Sequence, residues 1–134
     1  MSREIIPFTG FVGAQFGQLR SKVRQTLGSG FSSFKKTPFS ETETDAYDNL
    51  GIHLFYNKDD RLEFIEAFPP AQVHFKGIEF INQNIDAVIG EMKQFCSDYR
   101  FEEPSYFFDD YGLVLNEEDG KIEGVSLFSK GYYE

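Results

Sequence analysis

Tryptophan is absent from the chain, cysteine occurs once, and methionine and histidine occur twice each. Basic residues are outnumbered, with 13 Lys and Arg against 22 Asp and Glu and a net charge of −9 over 134 residues. Each shortage excludes something. A single cysteine, Cys96, cannot close an internal disulfide or build a Cys-rich zinc site, and it fits a reducing compartment. The other soft ligands, His53 and His74, lie in different predicted elements, so neither a metal nor a cofactor is assigned. No apolar run approaches the roughly 18 residues of a spanning helix, and Met1–Pro7 lacks the charged, then apolar, then small-residue order of an export signal. A cytoplasmic protein that does not bind membranes is expected. The acidic excess repels phosphate backbones and acidic lipid surfaces, which argues against a nucleic-acid partner, and it speeds encounter with a basic protein. The scarce cations are also unevenly placed. Six of them fall in residues 1–39 against Glu4 alone, while residues 40–134 hold seven basic and 21 acidic residues.

Aromatic residues are abundant, with 16 Phe and 7 Tyr. That content excludes a disordered acidic tail, and a chain of this length can bury one sizeable core without staples. An internal repeat organises the pattern. Residues Tyr47–Leu54 lie over Phe108–Leu115 at an offset of 61, and Arg61–Phe68 lie over Lys121–Phe128 at an offset of 60. The slip falls in the turn between two strands, where hairpin loops tolerate a change of length. Asp119-Gly120 suits a turn that needs positive φ. A helix precedes each hairpin. Phe16, Leu19, Val23 and Leu27 mark the first, stopped by Gly28. Ile85, Val88, Ile89, Met92, Phe95 and Cys96 mark the second, with Asn82 or Asn84 as N-cap. A short aromatic strand is expected between helix and hairpin, at Gly30–Lys36 in one copy and Pro104–Phe108 in the other. Thr37–Thr44 reads as an exposed loop, and Gln72–Phe80 as an added strand. The expected fold is α+β: two tandem helix-plus-antiparallel-hairpin repeats, about 8–76 and 77–134, forming one sheet-based domain (1–134) with helices on one face.

The helix pattern Gly17, Val23, Leu27, Gly28, followed by hairpin residues Ile52, Leu54, Tyr56, Leu62 and Ile65, resembles the unit of the beta-lactamase-inhibitor-like fold and of the BamE-type outer-membrane assembly lipoproteins. Val88, Met92, Leu113, Leu115, Ile122 and Val125 repeat it, without the glycine that ends the helix. The resemblance implies a fold, and a sheet whose open face binds another protein. Because the lipoproteins' secretion signal and lipid-bearing cysteine have no counterpart, their role at the membrane is not expected here.

No catalytic constellation emerges. Cys96 falls on an apolar helical stripe, where a thiol behaves as a small hydrophobe. Asn116–Gly120 lacks the distal bidentate Glu of a calcium loop. Gly10, Gly13 and Gly17 lack the Gly-Lys-Ser/Thr ending of a phosphate loop. Asp109-Asp110 and Glu102-Glu103 point to opposite faces as strand neighbours. Strand alternation is more informative. If Ile52, Leu54 and Tyr56 face the helices, His53 and Phe55 face away, and a bulge that turns both Leu62 and Ile65 inward adds Phe64, Glu66 and Phe68 beside them. Copy two contributes Phe128, with the smaller Val114, Asn116, Gly124 and Ser126. His53, Phe55, Phe64, Glu66, Phe68 and Phe128 are therefore the candidate partner-binding residues, unless another sheet or the Tyr132-Tyr133 tail covers them and makes them ordinary core. The expected function is a non-enzymatic module that binds a basic protein, as an inhibitor or immunity protein does. A second copy of the chain is the other occupant of that face. The alternative is a small-molecule binder or enzyme with a pocket between the repeats, using His53 or His74 as proton carrier.

Overall fold

The computed structural model describes residues 2–96 and 98–133. Glycine shapes the first segment. Gly10, Gly13 and Gly17 have φ of +111°, +99° and +89°, and a Cβ on Gly10 would stand 2.3 Å from the Ala14 carbonyl oxygen, so only glycine makes this turn. The segment folds into β1 (Arg3–Glu4) and a tight hairpin of β2 (Gly10–Phe11) and β3 (Ala14–Gln15), which fully buries Phe11 and Ala14. Helix α1 (Arg20–Leu27) consequently starts four residues after Phe16. Leu19 at its N-cap is extended and bridges to Arg61, and Gly28 ends the helix with φ +94°.

After α1 the chain runs through β4 (Ser32–Phe34), β5 (Thr44–Tyr47), β6 (Ile52–Tyr56) and β7 (Leu62–Ala67), then β8 (Val73–Phe75) and β9 (Ile78–Glu79). The second helix is α2 (Ile85–Met92), and β10 (Arg100–Glu102), β11 (Ser105–Phe108), β12 (Leu113–Glu118) and β13 (Lys121–Phe128) follow it. Asn84 is the α2 cap, its Oδ1 accepting from the Ala87 N–H at 2.9 Å. The helix stops at Met92, so Phe95 lies partly in solvent and not on the buried stripe. Strand exceeds helix, 41% against 15%, which makes the fold α+β and mostly sheet. Eight antiparallel strands form one sheet in the order β10-β11-β12-β13-β7-β6-β5-β4. A smaller sheet, β1-β8-β9, pairs β1 parallel to β8. Gln72–Phe80 is thus a hairpin, not one strand, because Lys76 and Gly77 both turn with positive φ. The expected strand at Gly30–Lys36 is the edge strand β4, whereas Pro104–Phe108 supplies β11, one place in from the opposite edge. Thr44, read as loop, opens β5, and β10 escapes the sequence reading because its three residues are too few to establish an alternation and are all exposed.

Both large hairpins bulge. Phe55 faces Phe64 while Tyr56 faces Leu62, which leaves Glu63 as the extra residue. Asn116 faces Gly124 while Glu117 faces Ile122, which leaves Glu123. The bulges turn Leu62 with Ile65, and Ile122 with Val125, into a single core that also takes Val23 of α1 and Ile85, Val88, Ile89 and Met92 of α2. The helices and small sheets therefore cover one face of the large sheet.

A buried ion cluster anchors α1 to that inner face. Asp45 is fully buried; its Oδ1 lies 2.9 Å from Arg20 Nη1 and its Oδ2 lies 2.7 Å from Arg24 Nε. Ser33 Oγ donates to Oδ1 at 3.0 Å. Arg20 also reaches Asp60 at 2.8 Å and stacks on the Tyr56 ring, while Arg24 stacks on Phe31. Burial alone would push the Asp45 carboxyl up; the hydrogen bonds from Arg24 and Ser33 and the two guanidinium charges overcome it and hold the carboxyl below the ordinary aspartate range. Removing one partner strands the others in the interior. Asp45→Asn is expected to cost about 3 kcal/mol or more, read as a lower urea midpoint. The folded pKa is depressed, so the Asp45 contribution is complete above its unfolded value near ~3.9 and disappears as the pH falls from there through the folded value. Acid titration of stability should show that loss in the wild type and lack it in Asp45→Asn.

Candidate functional site

The other face of the large sheet carries no helix. Ladder register places Arg100, Phe107, Val114, Ser126, Glu66, His53, Ala46 and Ser32 in one row across all eight strands. Phe128, Phe64 and Phe55 form a second row on one side of it. Ser105, Asn116 and Gly124 form a third on the other side. Every sequence-derived binding residue on these strands shares this face, but the rows have different fates.

The Phe row is a small second core. Phe64 and Phe128 are only 9% and 5% exposed, and with Val114 they pack under Phe8, Phe55, Phe107 and Tyr132. Tyr132 lies 5.0 Å from Phe64 between ring centroids, and Tyr133 lies 4.8 Å from Phe128. The chain end thus folds back over its own sheet, since two large apolar rings in the middle of a strand row cannot stay in water when two tyrosines are within reach. The expectation of an open aromatic face needs correcting at Phe64 and Phe128. Phe55 is half-buried at the edge of the cluster, with Lys36 Nζ 5.1 Å from its ring centre.

His53, Glu66 and Phe68 are half-buried and not covered by the tyrosines. His53 Nε2 is 2.8 Å from Asp48 Oδ1, and the imidazole stands edge-on to Phe34 and Phe68 at 5.7 and 4.8 Å. Glu66 lies between His53 and Ser126 in the ladder, yet no hydrogen bond or ion pair joins its carboxylate to another described residue. Next to it, Ser105 Oγ donates to Asn116 Oδ1 at 2.7 Å, and Asn116 Nδ2 donates to Ser126 Oγ at 3.3 Å. Glu66, Phe68, Asn116, Glu123, Gly124 and Ser126 enclose a dip of about 420 Å³ that is open to solvent. The Glu123 carboxyl is pushed up, first by hydrogen bonding with Glu118, then by partial desolvation and by the charges of Glu118 and Glu66. Glu123 therefore has a carboxylate neighbour on either side, and among the described residues no Lys or Arg lines the dip.

His74 belongs to the small sheet, where its Nδ1 is 2.7 Å from Ser2 Oγ and 3.8 Å from Glu79. His53 and His74 lie on separate sheets and do not converge on a common pocket. Cys96 is buried, and its thiol donates to the Asp98 carbonyl at 3.1 Å. Among the described residues no three His, Cys, Asp or Glu side chains could hold a metal ion together, and no helix is long and apolar enough to cross a membrane. The sequence reading missed Glu123, whose place on the outer face depends on the second bulge. A signal existed, because Glu63 occupies the same position in the first hairpin. It also missed Asp45, although Arg20 and Arg24 are spaced i, i+4 on one helix face.

The tail cover is testable. Tyr132→Ala should lower stability by about 1–3 kcal/mol, since it uncovers Phe64; a urea midpoint equal to that of the wild type would show that the tail rests on the sheet without stabilising it. Compared with known proteins, the chain matches no family model, no curated protein and no solved structure.

Proposed function

We propose that this chain is a non-enzymatic protein-binding module, of the kind that acts as a cytoplasmic inhibitor or immunity protein, and that its outer sheet face receives a basic partner. The observation that carries this is the half of that face left uncovered by the tail. There, Phe34, His53 and Phe68 stand edge to edge beside Asp48, Glu66 and Glu123. Aromatic anchors with carboxylates at their rim are the anatomy of a protein interface, with the rings supplying affinity and the carboxylates steering a cationic partner. The net charge of −9 acts in the same sense at longer range. A buried thiol is compatible with a reducing compartment.

We also propose that the chain is two related helix-and-sheet units. The order α1-β4-β5-β6-β7 followed by α2-β10-β11-β12-β13 supports this, as do the mirrored strand order about the β7–β13 pair and the bulges at Glu63 and Glu123. The residues that carry the inhibitor-like resemblance, among them Ile52, Leu54, Leu62 and Ile65, face the core. They bear on architecture, and binding falls to the opposite face.

The test compares wild type with a Phe34→Ala, His53→Ala double variant, both shown to be folded by circular dichroism, in low-salt affinity capture from host lysate. A basic protein retained by the wild type, released at high salt and bound about tenfold or more weakly by the variant is the expected result. Equal capture by both, or by neither, overturns the proposal.

A further inference from the structure

Gly124 lies in the middle of β13 beside the bulge at Glu123, where glycine weakens a strand and marks a bulge or the close approach of a backbone or ligand. Its backbone does not require it. Its φ is outside the left-handed region, and a Cβ there would meet only the Ala67 carbonyl oxygen at 3.4 Å and Asn116 Nδ2 at 3.9 Å. The missing side chain leaves the dip open between Phe68 and Asn116. Around that gap the chain gathers acceptors it does not use fully. Glu66 has no hydrogen-bond or ion-pair partner among the described residues. Ser126, 6% exposed, receives a bond from Asn116 and donates none to a described residue.

We infer that this dip is a receptor for one arginine side chain of the bound partner. The inference rests on the outer face being a binding surface, and it names what enters it. A guanidinium satisfies the lining better than other cations do. It is planar, so it stacks against the Phe68 ring, and its fork of N–H donors spans acceptors on neighbouring strands, Glu66 on β7 and Ser126 on β13. It is weakly hydrated, so a half-buried position costs it less than it costs an ammonium group. A metal ion lacks the converging carboxylates it would need among the described residues. Entry of a cation would also offset the neighbouring carboxylate charges that push the Glu123 carboxyl up, so bound arginine should lower the Glu123 pKa.

The experiment is a titration of the whole chain, followed by amide NMR, with Nα-acetyl-arginine amide and with its neutral isostere Nα-acetyl-citrulline amide. Saturable shifts confined to Gly124, Ser126, Phe68 and the Asn116 side-chain amide are expected with arginine only. Glu66→Gln should weaken them about tenfold or more, the range of a charge-assisted hydrogen bond. Gly124→Val, which fills the dip and suits a strand, should abolish them while the rest of the spectrum stays native; Gly124→Ala serves the same purpose with a smaller group. Scattered shifts, equal response to citrulline, or arginine binding unchanged in a folded Gly124 variant overturns the inference. Partner capture separates the two proposals. Capture lost in Phe34→Ala, His53→Ala but kept in Gly124→Val leaves the binding face standing and removes the arginine site.

Discussion

Four ladder pairs between β7 and β13 join the first four strands of the large sheet to the last four: Ala67 with Val125, Glu66 with Ser126, Ile65 with Leu127, and Phe64 with Phe128. Both faces depend on this register. Side chains alternate along a strand, so a slip of one residue would turn Ile65 and Leu127 out to solvent and drive Glu66 and Phe64 against the helices. In the register observed, the same ladder that completes the inner core sets Phe64 beside Phe128 and Glu66 beside Ser126. The covered and the open halves of the outer face are two consequences of one pairing.

The two faces treat charge in opposite ways. On the inner face Asp45 is fully buried and almost fully satisfied, held by two guanidinium groups that themselves stack on Tyr56 and Phe31. A buried carboxylate is tolerated only with such partners. On the outer face Glu123 stands in the field of Glu118 and Glu66, and among the described residues no Lys or Arg lines the dip, an arrangement that exposure to water permits but does not favour. The first cluster belongs to stability. The second is unbalanced within the chain, which is why a cationic partner is the occupant proposed for it.

Much of the architecture was legible because it follows from local rules. The 3.6-residue spacing of Ile85, Val88, Ile89 and Met92, the cap at Asn84 and the positive-φ turn at Asp119-Gly120 each depend on a few neighbouring residues. The requirement that Leu62 and Ile65 both face inward was enough to demand a bulge. The spacing from Phe16 misled because Gly17 and the hairpin before it spend those residues on a turn, and Phe95 misled because an apolar residue at helical spacing stays solvent-facing once the helix ends at Met92. The edge strand β10, three exposed residues long, is too short for its alternation to be read.

The sequence by itself determined the α+β character, the hairpins, the strand faces and the sign of the molecule's charge, since all of these are set by composition and by contacts a few residues apart. Only the tertiary structure decided which aromatics on the outer face stay accessible. That outcome depends on Tyr132 returning across more than sixty residues of chain to cover Phe64, and no local pattern encodes it. It also decided that Asp45 meets Arg20 and Arg24, and that Gly124 opens a dip beside Glu66. Both are tertiary contacts, the first between helix α1 and strand β5, the second between strands β7 and β13 that come to lie side by side.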